Sequence, residues 1–537
     1  MSTSHHITRR TALGLGIAAT ASAASGALGT PPASAAPSTS TSTSRPTSTL
    51  AATAATTTAA TATGAVLDKH FAADTTTLLK NPLTGWALYG SSAPPADYWT
   101  KYDDVPLPDG TTISVSDYAS VMYMRVSWTI LEPSEGVYGW DTNAAFAGIL
   151  AEARRRGLRL AFRVVVDSRD KSSDFTPAWV RAAGAAGYET QTGSTTVWSP
   201  YPDDPVFQAK YAAFIAAFGA QYDDPATTDF IDGYGLGKWG EGHSMLYQDA
   251  TNREPVFDWI IDLYQEHFTR VPLALNYHRM IGGPKDWGTP DPESERMLDG
   301  AYEKGYVLRH DAFGMTTYYA DWEKSMAAKW RYKRPIIMEG GWVTAQHDVT
   351  QDPRGYVTTA DVRRGEFDDS VEAHVNMMDL RNGETLSWFT DETYPLTQRF
   401  DAEGGYRLHP SHVVVPGAVA VGATVDLTHE WTNTGWGYLP DNLPVWNGKY
   451  KAALALLRAD GSVAKSFVDT ASDPSTWLKG SPTAYAFRAS LAGVPSGQYR
   501  WGIAIVDTTS GGTPGIQLAA QAAQEGGWVV VGEVTVG

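Results

Sequence analysis

Between residues 80 and 400, short apolar runs rich in β-branched and aromatic residues alternate with longer stretches at helical spacing. The runs predict eight strands, at 84–89, 120–126, 158–166, 229–236, 271–276, 312–318, 334–339 and 384–389. Between them, Phe146, Ile149, Leu150 and Ala153 recur at i, i+3, i+4 and i+7, and Gly157 supplies a helix stop. Phe207, Tyr211, Phe214, Ile215 and Phe218 form a second such stripe, and Val256, Ile260, Ile261 and Tyr264 a third. Strand and helix repeated eight times predict an α/β fold, a (β/α)8 TIM barrel over 65–403. No Gly-rich phosphate loop follows the first strand, which disfavours a doubly wound open sheet. From 404 to 537 the helical period disappears. Alternation at Val425–Thr428 and the runs Ala452–Leu457 and Tyr499–Val506 are divided by Asn433-Thr434-Gly435 and Ala459-Asp460-Gly461. This predicts a C-terminal immunoglobulin-like β-sandwich.

The chain ahead of residue 65 has a different texture. Arg9-Arg10 precede an apolar run, and no acidic residue occurs before Asp68. Residues 1–36 read as a twin-arginine export signal, with Ala33-Ser34-Ala35 as a cleavage site, and predict a secreted protein. The apolar run is too short and too rich in small residues for a membrane span. Residues 37–64 are almost wholly Ser, Thr, Ala and Pro, a linker that cannot bury a core. The whole chain, at 43% hydrophobic residues, has globular composition. A net charge of -17 argues against nucleic acid as a partner. With no Cys in the chain, disulfides, zinc–thiolate sites, iron–sulfur clusters and a Cys nucleophile are excluded. No cofactor is implied, and nothing in the chain sets an oligomeric state.

Barrel sites form at the C-terminal ends of the strands. The fourth predicted strand runs into Gly237-Lys238-Trp239-Gly240-Glu241-Gly242-His243, and the seventh ends Met338-Glu339-Gly340-Gly341-Trp342. Two glutamates flanked by glycine and tryptophan at one barrel mouth suit glycoside hydrolysis, which needs paired carboxyl groups and aromatic faces for sugar rings. A carboxylate after the apolar run Pro335–Met338 needs a partner, and Arg125 at the end of the second strand is available. Tyr318 or Tyr319 could hydrogen-bond a nucleophilic carboxylate, and Trp388 could floor a sugar site. Asn276, Tyr277 and His278 end the fifth strand and could be subsite donors, His278 equally a structural residue. Trp86, Trp128, Trp239 and Trp342 all fall near predicted strand ends. The 168–202 loop, with Lys171, is long enough to close one end of a groove. No Gly-x-Ser-x-Gly elbow and no His-Glu-x-x-His occurs, which disfavours serine and zinc hydrolases.

The segment from Arg125 to Asp141, RVSWTILEPSEGVYGWD, resembles the second-strand signature of beta-galactosidase-like enzymes in glycoside hydrolase clan A. The C-terminal part resembles a sandwich domain of unknown function that follows such barrels in bacterial proteins. The resemblance implies a retaining mechanism with Glu241 as acid/base and Glu339 as nucleophile. It further implies that Arg125 holds the nucleophile, that Tyr318 or Tyr319 orients it, and that Trp388 lines the sugar subsite. Glu132 and Glu135 would shape the loop. One position departs from the pattern: Gly240 stands where the clan has Asn, and Lys238 or His243 could supply the missing contact. The Gly-Glu pair also resembles inverting beta-amylases. Three readings are thus open for a carbohydrate ligand: a retaining glycosidase, an inverting one, and a non-catalytic binder on a barrel scaffold.

Overall fold

The computed structural model describes residues 65–91, 97–315, 318–341, 354–381 and 383–537. Eight parallel strands close into a barrel in chain order. They are β1 (Gly85–Ser91), β2 (Ala119–Ser127), β3 (Arg159–Val165), β4 (Thr228–Asp232), β5 (Leu273–Asn276), β6 (Val307–Phe313), β7 (Ile336–Gly340) and β8 (Met377–Leu380). Met377 pairs with Gly85 to complete the ring. The predicted stripes are helices Ala144–Arg155, Pro205–Tyr222 and Arg253–His267, whose apolar faces are buried. Asn143 and Asp204 cap the first two by accepting from the backbone N–H three residues on.

Two strands lie elsewhere than predicted. The sixth is Val307–Phe313, not 312–318. Its Arg309-His310-Asp311 core reads as a polar loop in sequence, yet these residues belong to the barrel wall. The eighth is Met377–Leu380, not 384–389; Thr385–Trp388 is a single 3-10 turn. Four residues containing an aspartate give too weak a period-two signal to compete with the aromatic run that follows. β4 also stops at Asp232, four residues earlier than the prediction.

Side chains alternate across a strand, so residues two apart share a face. Ala87, Tyr123, Ala161, Phe230, Ala274, Val307, Ile337 and Met377 belong to one buried cluster and fill the lower barrel. Two residues further along their strands come Tyr89, Arg125, Arg163, Asp232, Asn276, Arg309, Glu339 and Asp379. The barrel therefore changes from an apolar plug to a charged layer within one step of the pleat. Only a dense set of ion pairs makes such a layer tolerable.

The same apolar cluster continues into the C-terminal domain. There β9 (Leu408–Pro416), β10 (Thr424–Asn433) and β13 (Thr483–Ser490) form one antiparallel sheet. The other sheet contains β11 (Tyr450–Leu457), β12 (Val463–Val468), β14 (Gly497–Asp507) and β15 (Trp528–Val536). Residues Val66–His70, expected in the barrel, pair instead with β9 as the edge of the first sheet. The sandwich meets the barrel at the N-terminal ends of the strands, where Tyr406 donates to Pro82 O at 2.6 Å and Asn376 to Tyr438 O at 2.8 Å. Among the described residues no helix is long and apolar enough to cross a membrane.

Candidate active site

The charged layer opens into a cavity of about 370 Å³ at the C-terminal mouth. Glu241 reaches it from the loop after β4. Gly240 and Gly242 flank it with φ of 75° and 78°, conformations that glycine adopts without strain. A Cβ at Gly242 would meet Ile281 Cδ1 at 2.2 Å, and one at Gly240 would meet Arg163 Cδ at 3.1 Å. The Arg163 stem fills the room beside the residue before Glu241.

Both glutamates meet on one guanidinium. Arg125 Nη2 lies 2.5 Å from Glu241 Oε1 and 3.4 Å from Glu339 Oε1, which together put these oxygens at most about 5.9 Å apart. Arg163 Nη1 donates to Glu241 Oε1 at 3.1 Å, and its Nε to Asp232 at 2.7 Å. Arg309 Nη2 lies 2.5 Å from Glu339 Oε2, and Arg381 Nη1 3.8 Å from Oε1. Tyr123 donates to Asp232 at 2.5 Å from the plug below. His243 Nε2 lies 3.3 Å from Glu241 Oε2, and its Nδ1 faces Asp286 at 3.4 Å.

These contacts set the protonation states. Burial alone would raise Glu339, but Arg309, Arg125 and Arg163 outweigh it and hold the carboxyl at about 2. Burial likewise opposes the Glu241 anion, and Arg125, the His243 hydrogen bond and Arg163 hold it well below the usual range. For His243, burial disfavours the charge, but Asp286 and Glu241 raise it to about 9. His278, stacked on His243 at 4.5 Å, is kept neutral by burial and by that charge. Asp311 differs. Burial and the Glu241 and Glu339 anions push it up to about 7, and its Oδ1 has no hydrogen-bond partner among the described residues.

Several expected site residues converge. Glu241, Glu339, Arg125, Trp239, His243 and Tyr318 all line the cavity, with His278. Asn276 stands behind it and positions the β4 loop by donating to Glu241 O at 3.1 Å. Lys238 does not reach Glu241; it bridges Asp170 and Asp286 at the rim, at 3.1 and 3.2 Å. Tyr319 is buried and stacks on Phe313 at 4.1 Å, so arginines rather than this tyrosine hold Glu339. Trp128 is 0% exposed, packs among Trp179, Tyr211 and Phe214, and donates to Glu132 at 2.8 Å. It is core, and Glu132 shapes the loop as expected. Trp388 is also core, 0% exposed and edge-on to Trp86 at 5.0 Å. The true β8 ends at Leu380, so Trp388 lies on the turn beyond it and Arg381 takes its place in the cavity wall. Trp342 lies outside the described residues.

Arg163, Arg309, Asp232, Asp311 and Trp287 are site residues that the strand-end search passes over. Trp287 lines the cavity from the loop after β5, edge-on to Tyr318 at 4.8 Å. The arginines carry a legible signal, a lone cation inside an apolar strand such as Leu160-Ala161-Phe162-Arg163-Val164-Val165.

No family model matches the chain, and no curated protein matches it. Solved structures do. The chain is similar to the catalytic domain of beta-amylase from Paenibacillus polymyxa, at 9% identity over 59% of this chain and 98% of that one, with a TM-score of 0.39. It is similar to endo-glycoceramidase II from Rhodococcus sp., at 13% identity over 76% and 99%, with a TM-score of 0.34. It is also similar to an endogalactoceramidase, at 14% identity over 74% and 97%, with a TM-score of 0.37. Likenesses this distant say nothing of substrate or activity.

Proposed function

We propose that the protein is an exported retaining glycoside hydrolase, with Glu339 as nucleophile and Glu241 as acid/base. The observation that carries this reading is the pair of carboxylates on one Arg125 nitrogen, with oxygens no more than about 5.9 Å apart. Retaining enzymes hold their carboxyl groups about 5–5.5 Å apart, whereas inverting ones leave about 6.5–9.5 Å for a water. Trp239, Trp287 and Tyr318 offer the ring faces that a sugar stacks on.

In the first step Glu339 attacks the anomeric carbon, the glycosidic C–O bond breaks, and the leaving oxygen takes a proton from Glu241. Glu339 is ionised at every pH of interest because its arginines hold it so. Glu241 rests as an anion against protonated His243. The proton it delivers enters through that imidazolium, when the substrate's oxygen displaces the Arg125 contact. In the second step Glu241 takes a proton from water, the water oxygen bonds the anomeric carbon, and Glu339 leaves. A non-catalytic binder would need the aromatic walls but not two carboxylates neutralised by buried arginines.

The test is hydrolysis of a panel of aryl glycosides and polysaccharides by wild type, Glu241→Ala and Glu339→Ala. Glu339→Ala loses turnover by at least about 10³-fold, the scale of removing a group that acts as part of a unit. Added azide restores it and yields a glycosyl azide of inverted configuration. Activity that survives both substitutions refutes the assignment.

A further inference from the structure

The reaction proposed above leaves one cation of the cavity without a task. Lys171 lies on the turn after β3, fixed by its backbone N–H donating to Ser168 O at 3.0 Å, and its side chain lines the cavity. Among the described residues its ammonium pairs with no carboxylate, unlike Lys238 at the rim, which holds two. Burial and then the charge of Arg125 both work against its protonation. Arg125, which lines the same cavity, has a buried Nε that makes no hydrogen bond among the described residues. Every arginine of the charged layer, Arg125 included, faces an acid, at 2.5 to 3.8 Å. Lys171 is half-buried, with its ammonium over the Phe175 ring at 5.5 Å, and Glu241, Asp170 and Asp167 act on it only at a distance; a cation lining a cavity with no acid in contact is open to an anion that enters it.

The aromatic walls select a sugar ring, and the Lys171 ammonium selects an anion on it. We propose that the substrate is an anionic glycoside, whose ring carboxylate or sulfate ester is held by Lys171 beside Arg125. This rests on the glycosidase reading and narrows it to a substrate class. A hydrogen bond from a charged donor is worth about 1.5–3 kcal/mol, or roughly 10- to 100-fold in affinity.

The experiment compares aryl glucuronides and galacturonides of both anomeric configurations, 6-sulfated aryl glycosides, and their neutral counterparts. Wild type and Lys171→Met are measured side by side. One anionic glycoside is expected to exceed its neutral counterpart by at least about tenfold in kcat/KM, with the uronide and sulfate arms naming the anion. Lys171→Met should reduce that preference by about 10- to 100-fold, mainly through KM. A neutral glycoside preferred by wild type, or an anionic preference unchanged in Lys171→Met, overturns the anion site and leaves the glycosidase reading standing. No turnover of any glycoside sinks the glycosidase reading instead. The anion site is then read alone by titration calorimetry with glucuronate, galacturonate and glucose 6-sulfate. Binding weakened by Lys171→Met supports it, and the same heats from both proteins overturn it.

Discussion

Replacing His243 by glutamine removes a charge that the fold keeps in spite of burial. The imidazolium faces Glu241 at 3.3 Å and Asp286 at 3.4 Å, and its pKa is raised from 6.5 to about 9. The folded value lies above the unfolded one, so folding favours the protonated form. The resulting stabilisation is fully present below pH 6.5 and is lost as pH rises through 9. Each pH unit in that interval is worth about 1.4 kcal/mol, so the whole is about 3 kcal/mol. Urea unfolding followed by tryptophan fluorescence, at about pH 6 and about pH 10, measures it in wild type and His243→Gln. Tyrosine and lysine titrations are shared by the two proteins and cancel in the comparison. The variant should be less stable by about 3 kcal/mol at the lower pH and by less than about 1 kcal/mol at the higher. A stability difference of the same size at both pH values would refute the ion pair. If His243 also feeds the proton to Glu241, hydrolysis by wild type falls away above about pH 9, and the variant loses activity well below it.

Four further outcomes follow from the packing. Arg163→Met strips Asp232 and Glu241 of contacts at 2.7 and 3.1 Å and should destabilise the barrel by about 3–5 kcal/mol in the same unfolding assay. Gly242→Ala places a methyl 2.2 Å from Ile281 at a positive φ; the strain, about 1–3 kcal/mol, should displace the Glu241 loop and cut kcat while circular dichroism stays unchanged. Trp388→Ala should lower stability by about 3–5 kcal/mol and leave KM for any substrate that is turned over unaltered, whereas Trp287→Ala should raise KM with little effect on unfolding.

The barrel is legible in sequence because three of its helices and most of its strands keep clean periods, and because β-strand ends locate Glu241, Glu339 and Arg125 without further information. What stays hidden has one cause. A charged layer inside a closed barrel breaks the rule that inward positions are apolar, so β6, with Arg309, His310 and Asp311, reads as a loop and Asp311 is missed with it. The error at β8 follows the same logic, since Asp379 interrupts a strand of four. Trp128 and Trp388 show the converse. A tryptophan near a strand end has the same sequence signature whether it points into the mouth or under a helix, and only packing decides.

The strand Val66–His70 must wait for its partner. It pairs with His412–Pro416, about 340 residues later in the chain. At about 5–20 residues per second of synthesis, it emerges from the ribosome roughly 20–70 s before anything it can bond to. During that interval it is a bare sheet edge in a growing chain, the kind of template that recruits neighbours. Its sequence, Val-Leu-Asp-Lys-His, meets that hazard with three charged or titratable residues in five. The segment is therefore secured only after the whole barrel has been synthesised, when β9 emerges as its partner.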